Sequence, residues 1–255
     1  MLFLMRRLWL IKYKGRCIFM DGFIGEFFGT MILIMLGAGT GAGFNLNKAY
    51  AKGANWTFVC LSWGMAVTMG VYVAGSLGSM GHLNPAVTIG FACFGFFPWS
   101  QVLPYLAGQF LGAFVGAALV IIQFAPHFKA TPDEASGNQV GIFATRPAIK
   151  SPLFNFISEL FATFAFIFIL LNLGNFTLGL KPFIVGALIF VVGTGLGTTT
   201  GFAINPARDW GPRLAYTLLP VPNKGNAYWN YAWVPMCGPL AGGILAAAIQ
   251  FALKG

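Results

Sequence analysis

The residues with the most chemistry to offer lie in two matching octapeptides. Gly81-His82-Leu83-Asn84-Pro85-Ala86-Val87-Thr88 is answered, 121 positions later (205 − 84), by Gly201-Phe202-Ala203-Ile204-Asn205-Pro206-Ala207-Arg208. Asn is a favoured helix N-cap and Pro suits the first helical position, so each stretch reads as a loop turning into a helix. The helices that follow, residues 84–95 and 205–217, reach only about 15 to 20 Å, roughly half of a ~30 Å hydrocarbon core. Two such half-helices entering from opposite faces meet tip to tip at mid-depth. Their dipole ends and asparagine amides then make a polar spot without a buried charge.

Several ionisable residues stand near this spot. Glu26 and Glu159 are the only carboxylates inside full apolar spans, where a charge is costly. Two purposes fit: a proton relay, or a brace that accepts N–H groups from the non-helical re-entrant loops. Their equivalent places in the two halves favour the brace. Arg208, at the third helical position after Asn205, is disfavoured by the helix dipole, and Asp209 and Arg213 follow it. It reads as a fixed donor and cation in a passage, against the plainer reading of a surface cation. His82 reads as a loop-fixing group rather than a pH switch. His127 supports nothing by itself.

The elements that must position these residues are membrane-spanning. The chain is 57% hydrophobic and 8% charged, too apolar for a soluble domain of 255 residues. Of its 15 Lys and Arg, Arg6, Arg7, Lys12, Lys14 and Arg16 precede the first span, so the net charge of +9 reflects membrane orientation rather than a nucleic-acid partner. Residues 1–20 lack the cleavage site of a signal peptide, and Met20-Asp21 is an equally good start. The four cysteines, Cys17, Cys60, Cys93 and Cys237, are scattered and read as buried small hydrophobes. No metal or cofactor site and no nucleophile beside a base is visible, so an enzyme is not expected.

Six stretches are long enough to span, at about 23–43, 57–78, 101–124, 153–173, 182–200 and 231–252. The even count places both termini on one side; the basic N-terminal segment, Lys181 and Lys254 argue for the cytoplasmic side, against Lys48, Lys52, Lys129, Arg146, Lys150 and Lys224, which then lie outside. Gly25-Glu26-Phe27-Phe28-Gly29-Thr30 corresponds to Ser158-Glu159-Leu160-Phe161-Ala162-Thr163, and each half then holds a second span, an Asn-Pro-Ala loop and a third span. The expected fold is an all-α membrane protein of six transmembrane helices plus two re-entrant half-helices. It divides into a basic segment (1–22), a first repeat (23–124), a solvent-side link (125–152) and an inverted second repeat (153–252). Small residues at four-residue spacing (Gly25 and Gly29; Gly108, Gly112 and Gly116; Gly238 and Gly242) allow close helix approach.

With these residues the sequence resembles the major intrinsic proteins, the aquaporin and aquaglyceroporin channels, over nearly all of 22–252. Two Asn-Pro-Ala boxes, each behind a glutamate-bearing helix, are highly specific. Within the family it looks like the glycerol facilitator branch, whose constriction falls here on Trp63, Gly193, Phe202 and Arg208. Water-selective members typically carry histidine where Gly193 stands. Asp209, Arg213, Pro239 and Leu240 also match the branch, whereas Met80 and Phe124 depart from it. Met80 replaces a small residue and narrows or re-aims the vestibule; Phe124 replaces a tyrosine and reads as packing. The resemblance implies that Asn84 and Asn205 donate to a passing oxygen while the carbonyls of Gly81, His82, Gly201, Phe202 and Ala203 line the path. It further implies a homotetramer in the cell membrane, with both termini cytoplasmic, passing glycerol and some water. Trp63 and Phe202 would form an apolar corner for a polyol's CH groups, facing Arg208. The rivals are the same channel tuned to protonated lactic acid, dihydroxyacetone or urea, and a proton-coupled transporter.

Overall fold

The computed structural model describes residues 18–132, 139–177 and 179–254, and among these every regular element is helical. In chain order the helices are α1 (Ile18–Asn45), α2 (Trp56–Ser76), α3 (Pro85–Cys93), α4 (Val102–Gln123), α5 (Ala125–Lys129), α6 (Val140–Phe143), α7 (Pro152–Asn172), α8 (Leu180–Leu196), α9 (Pro206–Leu218) and α10 (Trp233–Lys254). Among the described residues five segments are long and apolar enough to cross a membrane: Gly22–Asn45, Trp56–Ser76, Trp99–Gln123, Pro152–Asn172 and Trp233–Lys254. The span expected at 182–200 is the shorter α8, 17 residues or about 25 Å, because the chain leaves the helix at Gly197 to begin the second re-entrant loop.

The half-helix expected over 84–95 ends at Cys93. Gly95 takes a left-handed φ of +76°, and the Phe96 N–H donates back to the Phe91 carbonyl at 2.9 Å, a glycine-terminated stop. The helix expected over 205–217 runs one residue further, to Leu218.

Glycines bring the helices into backbone contact. A Cβ on Gly108 would stand 2.6 Å from the Phe23 carbonyl oxygen, and one on Gly116 2.5 Å from that of Met31, so α4 lies directly on α1. Gly238 and Gly242 seat α10 on α7 in the same way. The half-helices cross over: Gly90 of α3 meets the Gly243 carbonyl of α10 at 2.8 Å, while Gly211 of α9 meets Phe110 of α4 at 3.1 Å, each measured from the would-be Cβ. Each half-helix is therefore held by a spanning helix from the other half of the chain.

Two expectations need correction. The link 125–152 is not simply a solvent-side loop: it carries α5 and α6, and Phe128, Ile142 and Phe143 are fully buried. Phe143 stacks between Phe128 and Tyr216, with centroids 6.0 and 5.4 Å away, which ties the link to α9. Of the cysteines, Cys60 is buried but Cys93 and Cys237 face outward, since their helices leave those faces without a protein neighbour. The basic residues before position 17, Cys17 itself, and Asp133, Glu134, Gly137 and Asn138 of the link lie outside the described residues.

Candidate functional site

Glu26 on α1 is fully buried behind the first re-entrant loop. It accepts the backbone N–H groups of His82 at 2.9 Å and Leu83 at 2.7 Å, the Ser79 hydroxyl at 2.5 Å and the Gln109 amide at 2.7 Å. Glu159 on α7 is equally buried and accepts Ala203 N–H at 2.9 Å and Ile204 N–H at 2.8 Å. Non-helical backbone at this depth needs such partners.

The two carboxylates also fix where the carbonyls point. In a trans peptide the C=O of one residue is anti to the N–H of the next, and no described peptide is cis. With the N–H groups of His82 and Leu83 turned toward Glu26, the Gly81 and His82 carbonyls face away from it. The same holds for Phe202 and Ala203 opposite Glu159. Left-handed φ values at Gly81 (+68°), Leu83 (+50°), Gly201 (+83°), Phe202 (+39°) and Ile204 (+42°) accompany this alternation. A bulky or β-branched residue held there costs about 1–3 kcal/mol, which the carboxylate bonds offset.

The two asparagines meet. Asn84 caps α3 by accepting from Ala86 N–H at 2.9 Å, and Asn205 caps α9 by accepting from Ala207 and Arg208 N–H at 3.0 and 3.2 Å. Each amide then donates into the opposite loop: Asn84 Nδ2 to the Ile204 carbonyl at 2.8 Å, Asn205 Nδ2 to the Leu83 carbonyl at 2.6 Å. One N–H of each NH₂ remains to serve another acceptor. Pro85, Ala86, Pro206 and Ala207 are buried in the first turns behind them.

Three cavities follow one another past this junction. The first, on the face away from the termini, has a volume of about 290 Å³ and includes Trp56, Gly201, Phe202 and Arg208. The middle one, of about 40 Å³, is bounded by Trp63, Phe202 and Arg208 and includes Asn84, Asn205 and Ala203. The last, of about 440 Å³, opens toward the termini and holds Met80, Gly81, His82 and Lys181. The first and middle share Trp63, Phe202 and Arg208, and the middle and last share Val67, His82 and Phe166. The result is a passage with a narrow neck.

At the neck the Arg208 guanidinium carbon stands 3.9 Å from the Trp63 ring centroid, and Nη1 donates to the Phe143 carbonyl at 3.1 Å. Gly193 faces neither the first nor the middle cavity. A Cβ there would stand 3.0 Å from the Phe202 ring and 2.9 Å from Cys60 Sγ. Gly193 thus makes room for Phe202, and its carbonyl accepts the Trp56 indole N–H at 3.0 Å. Of the four constriction residues, three line the neck and the fourth sits behind one of them.

Several supporting residues escape sequence reasoning. Gln109 donates to Glu26 and, at 3.0 Å, to the Thr88 hydroxyl; a glutamine inside an apolar span was the available signal. Asp209 and Arg213, known only by resemblance, form a fully buried ion pair at 2.7 Å. Asp209 accepts Thr145 N–H and hydroxyl at 2.6 and 2.8 Å. Arg213 donates to the carbonyls of Thr145 at 2.8 Å and Ala227 at 2.6 Å, so the pair staples two loops to α9. Phe124 packs against the core, as expected. Among the described residues no cluster could hold a metal ion.

Comparison with known proteins points to one family. The major intrinsic protein family profile matches residues 15–250. Glycerol uptake facilitator protein 2 of Lactiplantibacillus plantarum is 70% identical over 231 residues, covering 91% of this chain and 98% of that protein. The glycerol uptake facilitator protein of Streptococcus pneumoniae R6 is 47% identical over 232 residues, covering 90% and 98%. Among solved structures, the aquaglyceroporin from Plasmodium falciparum superposes with a TM-score of 0.78 at 29% identity, over 91% of this chain and 96% of that one.

Proposed function

The chain belongs to the major intrinsic protein family, and from that membership we propose that it is a passive channel for glycerol and similar small uncharged solutes, with some water. The observation that carries the reading is the neck, where an aromatic corner of Trp63 and Phe202 faces a guanidinium. A polyol needs both surfaces: CH groups lie against the rings, and hydroxyls bond to Arg208 and to the carbonyls of Gly201, Phe202 and Ala203. Entry exchanges the Arg208–Trp63 contact, a cation–π interaction of about 0.5–2 kcal/mol, for hydrogen bonds to the solute. Asn84 and Asn205 then donate to the passing oxygen, and the carbonyls of Gly81 and His82 receive the solute on the far side. The facing helix N-termini together with Arg208 oppose protons and cations.

Glu26 and Glu159 act as braces in this reading. Each stands behind its loop with its oxygens occupied by backbone donors, which favours a channel over a proton-coupled transporter. We further propose a homotetramer with both termini cytoplasmic. Stopped-flow light scattering on proteoliposomes tests the function: glycerol entry should be fast, linear at modest concentration and indifferent to a pH gradient. Accumulation driven by a gradient would overturn the channel.

A further inference from the structure

The Phe202 ring at the neck is packed against a residue outside the four constriction positions. It lies along a groove on α8 made by two glycines one turn apart: a Cβ on Gly193 would stand 3.0 Å from its Cε2 and Cζ atoms, and one on Gly197 2.6 Å from its Cδ1. Trp56, the first residue of α2, meets the same ring edge-on at 81°, with centroids 5.6 Å apart, inside the favoured range for aromatic pairs. Trp56 borders the outer cavity but not the middle one. We propose that Trp56 is a positioning residue for the neck, clamping the Phe202 ring into its glycine groove and so setting the width of the aromatic corner. This deepens the channel reading above and rests on it.

The indole is itself fixed. Its Nε1–H donates at 3.0 Å to the Gly193 carbonyl, which also accepts the Gly197 N–H at 3.2 Å. Because α8 ends at Leu196, that carbonyl belongs to the last turn, where helical partners run short, and its two lone pairs can take both bonds. A tryptophan at the start of a spanning helix ordinarily anchors the membrane interface with its polar edge toward the headgroups. Here the N–H is spent inside the protein, on the very residue that makes room for Phe202. The loop backbone is held separately: Glu159 accepts the N–H groups of Ala203 and Ile204, which fixes the chain after Phe202 but not the torsions of its ring. With the indole gone, the ring can turn toward the outer cavity, and the neck widens.

Trp56→Ala, Trp56→Phe, Phe202→Ala and the double variant Trp56→Ala with Phe202→Ala are compared with the parent in proteoliposomes. The readout is erythritol entry relative to glycerol entry, so that the amount of channel cancels. Losing the aromatic pair should raise this ratio about threefold to tenfold in Trp56→Ala. Trp56→Phe, which keeps a ring without the N–H, should raise it less. In the Phe202→Ala background Trp56→Ala should add nothing, because its effect runs through the ring. Thermal unfolding of the same proteins in detergent gives a second cycle that needs no transport, and there the double variant should lose less than the two single variants together. A parent that passes no glycerol fails the channel reading and leaves the second cycle to judge the clamp. A ratio unchanged or lowered in Trp56→Ala, the same rise with and without Phe202, or additive thermal losses overturn the assignment.

Discussion

The Arg208 guanidinium lies over the Trp63 ring, 3.9 Å from its centroid, and is held from the other side by the Phe143 carbonyl at 3.1 Å. The Phe143 bond anchors the cation to the link between the two halves, while the Trp63 contact is the one an entering solute displaces.

Removing that cation tests its role as a charge barrier. Arg208→Ala should raise monovalent cation conductance above background in planar bilayers while glycerol still passes. Conductance that stays at background would place the barrier elsewhere, in the helix N-termini.

Gly193 tests the bore. Because a Cβ there would lie 3.0 Å from the Phe202 ring, any side chain pushes that ring toward the neck or replaces it. Gly193→His should slow glycerol far more than water, and Gly193→Ala should slow glycerol less. Equal slowing of glycerol and water by Gly193→His would show that this position does not set the width.

Glu159→Gln separates brace from relay. A glutamine oxygen can accept only on one side, so its NH₂ opposes the N–H of Ala203 or Ile204 and leaves a buried donor unpaired, at about 1–3 kcal/mol. The thermal midpoint in detergent should fall by roughly 2–10 °C. An unchanged midpoint, together with loss of a pH-driven uptake seen in the parent, would make Glu159 a proton carrier.

The Asp209–Arg213 pair predicts strong non-additivity. Asp209→Ala leaves the Arg213 guanidinium buried without its counter-charge, a loss of about 3–5 kcal/mol. Asp209→Ala with Arg213→Met should cost less than the sum of the two single changes. Additive losses in thermal unfolding would mean that the pair does not act as a unit.

Much of this was legible beforehand because the two boxes combine capping chemistry with a length argument. Asn-Pro announces a helix start, and the short apolar run behind it cannot cross a bilayer. Glu26 and Glu159 stood out because carboxylates in apolar spans are rare. Residues 139–147 were not legible. The Gly141-Ile142-Phe143 run is too short to show a period; Phe143 is buried against Tyr216, and Thr145 is held by Asp209 and Arg213, partners that only the fold brings near. Gly193 was placed at the constriction by resemblance, but whether a glycine faces a lumen or backs a ring depends on helix rotation, which composition does not encode.

The outward-turned carbonyls of Gly81, His82, Phe202 and Ala203 carry a consequence for how such a conduit can diverge. In the proposed channel they form a hydrophilic rail of main chain, which is kept wherever the bends are kept, whatever side chains drift along it. New solute preferences then have to arise on the greasy bank opposite, at positions such as Trp63 and Phe202, while the wet bank stays the same.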